Sequence, residues 1–369
     1  MAKNYEDPNR DIRSHSDPSQ SGWDEPIDRY NYVEDVYSDS KSYRSRKGQP
    51  HYTQPDPKPP KGKKKMKGWK KALIWIGSIL AAILIALLVL VGLLFGRLNV
   101  QKVDTDQYVE TVDEVAHIDL MDSGSVMNVL VIGADSNQDG TEGRSDTMML
   151  ISLNAKTNSM KIVSFLRDLY VQIPGQGKDR LNAAYSYGGA GMLMQTIENN
   201  FRIPVDKYLE TNFDGFEGII DAMGGIDVTM TAAEAQFIND WKNVGAVEGE
   251  NHLNGKNALY FARMRKLDSD FGRTTRQRQV VSAMFKKLKS SNPLTMYKVA
   301  FDLMPNLKTN LSYVELIRFG LAFSKMSDAE TLSVPSDGTY YDYTTPEGAM
   351  VLVPYLEQNI QLLRGFLYE

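Results

Sequence analysis

The densest group of polar and ionisable side chains occupies one short stretch of the sequence. Its members are Arg263, Arg265, Asp268, Asp270, Arg273, Arg276, Gln277 and Arg278. Arg273 lies three and four residues before Arg276 and Gln277, so a helix that begins near Gly272 would present those three side chains together. The first turn of such a helix also offers free backbone N–H groups and a favourable dipole to an anion. The stretch therefore suits a pyrophosphate, and a salt-bridged face or a nucleic-acid patch is the alternative.

Two carboxylates and an arginine form a second cluster. Asp135 follows one apolar run, and Arg144 and Asp146 precede the next, so the three should meet at one edge of a sheet. A Mg²⁺ ion held by one or two carboxylates plus substrate phosphate oxygens needs no further protein ligand. The spacing fits a magnesium site, and it fits equally a polar turn at Asp135 with an Arg144–Asp146 ion pair.

A third cluster ends a further apolar run. Arg167 and Asp168 stand there, and an arginine in that place can grip two phosphate oxygens, which a lysine cannot do. A surface ion pair of small energetic value is the alternative. Lys178, Arg180 and Asn182 follow in a Gly-rich stretch, which we predict to be a loop with further donors or a solvated turn.

The three clusters supply cations and carboxylates but no evident nucleophile. The chain has no cysteine, and only two of its four histidines, His117 and His252, lie beyond the long apolar segment. This leaves little material for a catalytic triad or a histidine metal site. The balance favours direct displacement at phosphorus by an acceptor hydroxyl, with an aspartate or a metal ligand as general base. A net charge of -4 argues against a general nucleic-acid binder.

Strand-like and helix-like patterns alternate in the part of the chain that carries these clusters. We predict strands over residues 126–132, 147–153, 161–165, 208–213, 226–230, 332–335 and 350–353. We predict helices over residues 191–201, 216–223, 253–264 and 273–288. This alternation is typical of an α/β fold in which a central mixed sheet is sandwiched by helices.

An uncharged apolar segment precedes this region. Residues 72–96 are long enough to cross a hydrocarbon core about 30 Å thick, and they predict a single transmembrane helix rather than a core helix or a signal peptide. Eight lysines lie between residues 58 and 71, whereas only Arg97 and Lys102 follow closely. The positive-inside rule therefore places the N-terminus in the cytoplasm.

These features divide the chain into four segments. We predict a disordered cytoplasmic tail with a juxtamembrane lysine cluster over 1–71, the transmembrane helix over 72–96, an extracellular linker or stalk over 97–125 and an extracellular catalytic domain over 126–369. The tail is polar and holds too few aliphatic residues to bury a core. Its lysine cluster is expected to touch anionic membrane lipid rather than nucleic acid.

The polar clusters lie within motifs that resemble those of the LytR-CpsA-Psr family of cell-wall glycopolymer ligases. The motifs are VLVIGAD, GRSDTMMLISLN, FLRDLYVQIPG, LNAAYSYGG, GGIDV, LNGKNALYFARMR and DFGRTTRQRQ. They span residues 128–281 in the expected order, and SVPSDG and VLVP continue the resemblance. The resemblance implies a sheet between helices and a polyprenyl chain held in an apolar channel that opens toward the membrane.

Apolar residues crowd two of the predicted helices, where they either line that channel or form ordinary core. They are Met192, Leu193, Met194, Ile197, Phe201, Phe216, Ile219, Ile220 and Met223.

The resemblance also implies a role for each candidate residue. Asp135 and Asp146 would hold Mg²⁺ or Mn²⁺. The residues expected around the pyrophosphate are Arg144, Arg167, Arg263, Arg265, Arg273 and Gln277, and Arg276 fits the motif as well. The residues expected to be catalytic are Asp135, Asp146, Arg167 and Asp270.

The reaction implied by the resemblance is a phosphotransfer. A glycopolymer such as teichoic acid or capsular polysaccharide would pass from polyprenyl pyrophosphate to peptidoglycan through a phosphodiester bond, releasing polyprenyl phosphate. The expected partners are the lipid-linked polymer, peptidoglycan and membrane lipid, without nucleic acid. The alternatives are an envelope transcriptional attenuator, a pyrophosphatase and a module that only binds lipid-linked glycans. The lack of a helix-turn-helix signal opposes the first, carboxylates beside the arginines oppose the last, and hydrolysis stays open.

Overall fold

The computed structural model describes residues 67–122, 124–136, 142–265, 267 and 270–369. Within these ranges the description leaves out the side chains of Asp135, Ser136, Glu142 and Leu303. Residues 1–66 of the predicted disordered tail, most of its lysine cluster and Asp268 lie outside the described residues. Residues 68–71, predicted to belong to the tail, are helical.

Helices and strands alternate along the described chain. The helices are α1 (Gly68–Phe95), α2 (Leu181–Phe201), α3 (Phe213–Ala222), α4 (Ala232–Lys242), α5 (Gly255–Ala262), α6 (Asp270–Ser290), α7 (Pro293–Leu303), α8 (Tyr313–Phe323) and α9 (Leu356–Tyr368). The strands are β1 (Asn99–Val100), β2 (Val126–Ser136), β3 (Glu142–Asn154), β4 (Ser159–Phe165), β5 (Tyr170–Ile173), β6 (Gly177–Arg180), β7 (Lys207–Thr211), β8 (Ile226–Met230), β9 (Gly249–Leu253), β10 (Leu307–Thr309), β11 (Glu330–Val334), β12 (Tyr340–Thr344) and β13 (Met350–Pro354).

The main sheet is mixed and has the strand order β1-β10-β7-β2-β3-β4-β11. Its central strand, β2, pairs parallel with β7 and antiparallel with β3. At the edge, β11 pairs parallel with β4. Helices cover both faces, as parallel strands require, so the predicted α/β sandwich is confirmed.

One face of the sheet packs against α2 and α9. Leu130 and Ile132 of β2 point to this face because alternate residues of a strand share a side, and both are fully buried. They join a core with Leu193 and Ile197 of α2 and Leu363 of α9. Each such side chain contributes roughly 1.5–3 kcal/mol on burial, so this core fixes the strands that carry the polar clusters.

The opposite face packs against α3, α5, α6 and α8. Ile220, Phe261 and Val280 belong to a core formed by α3, α5, α6 and the β8–β9 hairpin. Ile151 of β3 and Phe323 of α8 belong to a smaller core on the sheet. Over β2 and β3, however, α3, α5 and α6 leave a cavity.

The prediction of a loop over the Gly-rich stretch is wrong for the second half of that stretch. Arg180 lies in β6, which forms a hairpin with β5, and Asn182 lies in the first turn of α2. Helix α2 begins at Leu181 rather than at residue 191. Its backbone is not helical at Gly188 and Gly189, and Gly189 adopts a φ of 62°. The predicted helix is the segment after the break.

The other predicted strands and helices each have an observed counterpart, with ends that differ by a few residues. The two predicted closing strands separate, because β11 extends the main sheet whereas β13 pairs with β12 in an isolated hairpin. Several elements are not predicted from the sequence. They are α4, α7, α8, α9, β1, β5, β6, β9, β10 and β12.

Helix α1 corresponds to the predicted transmembrane segment. It is long and apolar enough to cross a membrane, and only 6% of its most apolar window is buried by the rest of the chain. Its C-terminal end packs on the folded part: the rings of Phe95 and Tyr313 lie 4.9 Å apart, and the guanidinium of Arg97 lies 4.1 Å from the ring centroid of Phe301. The candidate membrane helix is therefore attached to α7 and α8.

Gly255 allows α5 to approach α3. A Cβ at this position would overlap the backbone of Glu217, and the Gly255 N–H donates to Asp221 Oδ1 at 2.7 Å. We expect Gly255→Ala to lower the free energy of unfolding by about 1–3 kcal/mol, because the two helices must separate. Denaturant unfolding of the detergent-solubilised protein measures the change.

Gly218→Ala on α3 is the matched control. Its Cβ would meet nothing within 4 Å, so the alanine should leave stability unchanged or raise it by up to about 1 kcal/mol. Equal stability of the two variants would contradict the close contact of α3 and α5.

Candidate functional site

The cavity between the sheet and helices α3, α5 and α6 has an apolar wall and a polar end. Its empty space, including the open mouth, is about 710 Å³. The apolar wall includes Val131, Phe213, Phe216, Leu259, Ala262 and Val280. The polar end includes Asp146, Arg263, Arg265, Arg273 and Gln277. Such a cavity suits a ligand that joins an apolar chain to an anionic group.

Asp146 and Arg167 connect all three sequence clusters at the polar end. Asp146 Oδ2 accepts a hydrogen bond from Arg265 Nη2 at 3.0 Å, and Asp146 Oδ1 lies 3.5 Å from Arg167 Nη1. Arg167 Nε lies 3.2 Å from Asp168 Oδ2 and 3.6 Å from Asp270 Oδ2. The clusters are far apart in sequence, and the fold brings them within ion-pair distance.

A turn after β4 is held by neighbouring elements. The N–H of Asn182, at the start of α2, donates to the carbonyl of Arg167 at 3.2 Å, and the N–H of Leu352 in β13 donates to the carbonyl of Asp168 at 2.9 Å. Arg180 Nη1 lies 3.5 Å from Asp168 Oδ1. Asn182 therefore positions Arg167 through its backbone.

Asp270 and Arg273 face each other across the first turn of α6. Arg273 Nη2 donates to Asp270 Oδ2 at 2.8 Å. Burial raises the pKa of Asp270 above its usual 3.8, although Arg273 and Arg167 pull it down. Burial likewise lowers the pKa of Arg273, against the opposing charge of Asp270. Desolvation thus dominates this end of the cavity.

Arg273 retains unused hydrogen-bond donors. Its side chain is 3% exposed, and its Nε and Nη1 atoms are buried without a hydrogen-bond partner among the described residues. An unsatisfied buried donor costs about 1–3 kcal/mol, and more when charged. Because Arg273 lines the cavity, an anion at the polar end would satisfy these donors.

Positive charge is in surplus around Arg167. Burial lowers the pKa of Arg167, but the charges of Asp270, Asp168 and Asp146 together raise that pKa above its usual value. The guanidinium groups of the cluster are those of Arg167, Arg180, Arg263, Arg265 and Arg273. Among the described side chains, these three carboxylates leave part of that charge uncompensated, which favours an anionic ligand.

Arg263 and Gln277 also line the cavity, whereas Arg144 does not. The guanidinium of Arg263 lies 4.3 Å from the ring centroid of Phe213, and Gln277 follows Arg273 by four residues, on the same side of α6. Arg144 is exposed on β3, and the described partners of Asp146 are arginines other than Arg144. The expected contacts of these three side chains with a pyrophosphate stay predictions.

The prediction that Arg273, Arg276 and Gln277 face one way is wrong for Arg276. Its side chain is buried away from the cavity: Nη2 donates to the carbonyl of Met264 at 2.8 Å, and Nη1 lies 3.3 Å from Glu234 Oε1 of α4. Arg276 therefore ties α6 to α4 and to the end of α5. Arg276 therefore contributes to the DFGRTTRQRQ motif through packing between helices rather than through the cavity.

The backbone brings Asp135 and Asp146 to adjacent strands. Ala134 of β2 pairs with Ser145 of β3, next to a register shift. The side chain of Asp135 is outside the described residues, so the predicted metal pair stays a prediction. In the part of the chain that the structure describes, no group of three or more carboxylate, histidine or cysteine side chains could hold a metal ion.

Sequence reasoning missed the polar residues on the β7 side of the cavity. Thr211 and Asn212 line it, and Asn212 caps α3 by accepting the N–H of Gly215 at 2.9 Å. An asparagine at the end of an extended run and before a helix is a recognisable N-cap. This N-cap pattern could have located the β7 side of the cavity from the sequence.

The methionine-rich part of α2 is core. Met192 and Met194 are buried on the sheet face that packs against α2 and α9, and Ile220 of α3 belongs to the core around the β8–β9 hairpin. Among the apolar residues singled out from the sequence, Phe216 lines the cavity. The apolar wall is thus built mainly by α3, α5 and α6.

Comparison with known proteins gives consistent matches. The LytR_cpsA_psr family model matches residues 94–353. The sequence is 35% identical over 307 residues, 80% of this chain and 99% of the relative, to the polyisoprenyl-teichoic acid–peptidoglycan teichoic acid transferase TagU of Bacillus cereus (strain AH820).

Two solved structures share the fold. TagT bound to LIIa-WTA matches with a TM-score of 0.57 and 32% identity, over 70% of this chain and 95% of that one. The LytR-CPS2A-psr family protein YwtF (TagT) with bound octaprenyl pyrophosphate lipid matches with a TM-score of 0.54 and 27% identity, over 73% of this chain and 98% of that one.

Proposed function

Because this chain belongs to the LytR_cpsA_psr family, we propose that it transfers a teichoic-acid-type glycopolymer from a polyprenyl pyrophosphate carrier to peptidoglycan. The matched transferase is named for that activity, and one matched structure holds octaprenyl pyrophosphate. The product is a phosphodiester between the polymer and a peptidoglycan sugar, and polyprenyl phosphate is released.

The unpartnered donors of Arg273 carry this proposal. A buried guanidinium with free N–H groups needs an anion, and the same cavity continues into a wall of aliphatic and aromatic side chains. A lipid pyrophosphate combines both chemistries in one molecule. The prenyl chain lies along Phe213 and Phe216, and the pyrophosphate lies among Arg263, Arg265 and Arg273.

The reaction is a single displacement at phosphorus. The acceptor hydroxyl oxygen forms a bond to the polymer-side phosphorus while the bond from that phosphorus to the bridging oxygen breaks. The carrier phosphate leaves with the electron pair. Arg167 and Arg273 stabilise the charge on the non-bridging oxygens, and such preorganised donors are worth about 3–4 kcal/mol each.

Asp270 is the carboxylate best suited to take the proton of the acceptor hydroxyl. Burial raises its pKa above 3.8, which makes it a better base than an exposed aspartate. Its contacts with Arg167 and Arg273 keep it beside the phosphate-binding groups.

Asp135 and Asp146 would hold a Mg²⁺ or Mn²⁺ ion. Hard carboxylate oxygens on adjacent strands fit such an ion, which takes its other ligands from phosphate and water. When bound, the ion would offset negative charge on the phosphates. Asp146 already bridges Arg167 and Arg265, so it connects the metal site to the phosphate clamp.

Transfer is distinguished from hydrolysis, and from binding alone, by the fate of the donor. Purified full-length protein in nanodiscs is incubated with lipid-linked teichoic acid and uncrosslinked peptidoglycan, and mass spectrometry identifies the products. A covalent polymer–peptidoglycan adduct with equimolar polyprenyl phosphate supports the proposal. Free polymer phosphate would assign a pyrophosphatase, and unchanged donor would assign a binding module.

Asp146→Asn tests the metal assignment. We expect Mn²⁺ affinity, measured by electron paramagnetic resonance in the presence of pyrophosphate, to fall at least about tenfold, and Mg²⁺-dependent transfer to fall about 100-fold or more, since several kcal/mol of charge stabilisation are lost. Asp240→Asn, at an exposed position of α4, should leave both unchanged. Full activity of Asp146→Asn in the presence of chelator would exclude this metal site.

Arg167→Lys separates a phosphate clamp from a surface ion pair. The lysine keeps the charge but cannot grip two oxygens, so the variant should melt near wild type and transfer about 100- to 1000-fold more slowly. Arg364→Lys, at an exposed position of α9, controls for arginine loss. If Arg167→Lys and Arg167→Ala both transfer at the wild-type rate, Arg167 does not bind the phosphates.

The N-terminus is proposed to lie in the cytoplasm and the rest of the chain after α1 outside the cell, because lysines flank only the leading end of the apolar segment. Protease added to wall-stripped intact cells should digest the part after Arg97 and spare residues 1–71. Inverted membrane vesicles should give the opposite pattern. Protection of the C-terminal part in intact cells would refute this topology.

A further inference from the structure

Tyrosine rings line one face of the β12–β13 hairpin. Tyr341 and Tyr343 are two residues apart on β12, so they share a face and lie about 6–7 Å apart along it. The ring centroid of Tyr343 lies 6.2 Å from that of Tyr170 in β5, and that of Tyr341 lies 5.8 Å from that of Tyr355. Tyr170, Tyr343, Tyr341 and Tyr355 form a continuous line, here called the tyrosine row.

The hairpin is fastened to the arginine cluster. The N–H of Leu352 donates to the carbonyl of Asp168 at 2.9 Å, and Leu352 pairs with Asp342 between the two tyrosines of β12. On the other face of the hairpin, the ring of Tyr340 stacks on Phe271 at 5.6 Å, beside Asp270 of α6. At the Tyr170 end of the row, Tyr170 pairs with Arg180 in the β5–β6 hairpin, and Arg180 Nη1 lies 3.5 Å from Asp168 Oδ1. This end of the row therefore lies beside the arginine cluster.

Most of the row is exposed, although the opposite face of the hairpin packs against the protein. Tyr341, Tyr343 and Tyr355 are 47%, 42% and 42% exposed, whereas Leu352, on the opposite face, is partly buried against the core. The inward side of the hairpin thus supplies its packing, and the exposed rings are free to contact a partner. Tyrosine offers a large, rigid surface that is apolar on its face and polar at its tip, at low cost in conformational entropy.

Carboxylates border the tyrosine row. Asp179 pairs with Val171, the residue after Tyr170, in the β5–β6 hairpin, whereas Asp342 is exposed on the opposite face of β12. Burial raises the pKa of Tyr170, and the charges of Glu347 and Asp179 add to the effect. This acidic border repels a polyanionic polymer and accepts an uncharged one. The phosphate-rich donor is thereby directed to the arginines, and the row is left for a neutral glycan.

We propose that the tyrosine row binds the uncharged N-acetylhexosamine chain of the acceptor and delivers its hydroxyl to the arginine cluster. The proposal rests on the transfer reaction proposed above. Attacking and leaving oxygens lie roughly in line at a transferred phosphorus. The carrier cavity reaches the cluster at Asp146 and Arg273, whereas the hairpin reaches it at Asp168, so donor and acceptor approach by separate surfaces.

The binding test uses the full chain in nanodiscs and a tetramer of N-acetylglucosamine as probe, with affinity measured by NMR titration. We expect Tyr341→Ala and Tyr343→Ala each to weaken binding about five- to thirtyfold, as loss of a central aromatic contact does. Tyr341→Phe and Tyr343→Phe keep the ring and should bind within about twofold of wild type. Leu362→Ala is the control for loss of an exposed apolar side chain, because Leu362 is 42% exposed but lies on α9.

The kinetic test separates acceptor binding from donor chemistry. In Tyr341→Ala and Tyr343→Ala, KM for peptidoglycan strands should rise about as much as the Kd for the tetramer. Binding of polyprenyl pyrophosphate, measured by thermal shift, should not change. A merely structural role would instead lower the melting temperature and impair donor binding together.

Two results would overturn the proposal. One is wild-type affinity for the tetramer in the Tyr341→Ala/Tyr343→Ala double variant. Another is weaker binding of lipid-linked teichoic acid or of phosphatidylglycerol vesicles with unchanged affinity for the tetramer, which would assign the row to the donor polymer or to the bilayer. Tetramer binding that depends on the row in a protein that performs no transfer would retain the glycan site and reject the proposed function.

Discussion

The rest of the site depends on a surplus of positive charge held where a buried cavity meets the ends of β3 and β4. Asp146, Asp168 and Asp270 offset part of that charge and fix the guanidinium groups in place. They do not satisfy Arg273, whose buried Nε and Nη1 stay without a described partner. An anion bound at this end of the cavity would accept hydrogen bonds from these donors, and those bonds would contribute to the free energy of ligand binding.

Much of this arrangement could be predicted from the sequence because two rules apply to it. Strands with buried faces read as apolar runs, so polar residues that end such runs must meet at sheet edges. Asp146 and Arg167 follow that rule and lie 3.5 Å apart, although the spacing predicted Arg144 rather than Arg167 as the partner of Asp146. The arginines of α6 stood out by density alone. The sequence does not show which of these arginines is buried. The burial of Arg273 is what leaves its Nε and Nη1 without a described hydrogen-bond partner.

The failures have physical causes as well. Three residues advance a helix by about 300°, so Arg276 and Gln277 diverge from Arg273 in opposite directions. Which of them faces the cavity depends on Glu234, and α4, which carries Glu234, has a weak apolar pattern that did not reveal it. The β12 strand was missed for a related reason. Its sequence, Tyr-Tyr-Asp-Tyr-Thr, exposes residues on both faces, so the alternation that identifies half-buried strands is missing.

The acceptor hydroxyl and water compete to attack the phosphorus, and the cavity and the tyrosine row affect that competition differently. The carrier side of the cluster is closed by aliphatic and aromatic side chains, which exclude water from the leaving group. On the hairpin side the tyrosines are exposed, and any nucleophile that reaches the phosphorus from there can react. Water is always present at high concentration, so transfer prevails only when an acceptor occupies that side long enough to displace it. Holding the glycan through several weak aromatic contacts raises the local concentration of its hydroxyl, and it leaves the polymer product free to dissociate along an acidic border that repels its phosphates. Selectivity for transfer would thus arise from acceptor residence rather than from any group that rejects water.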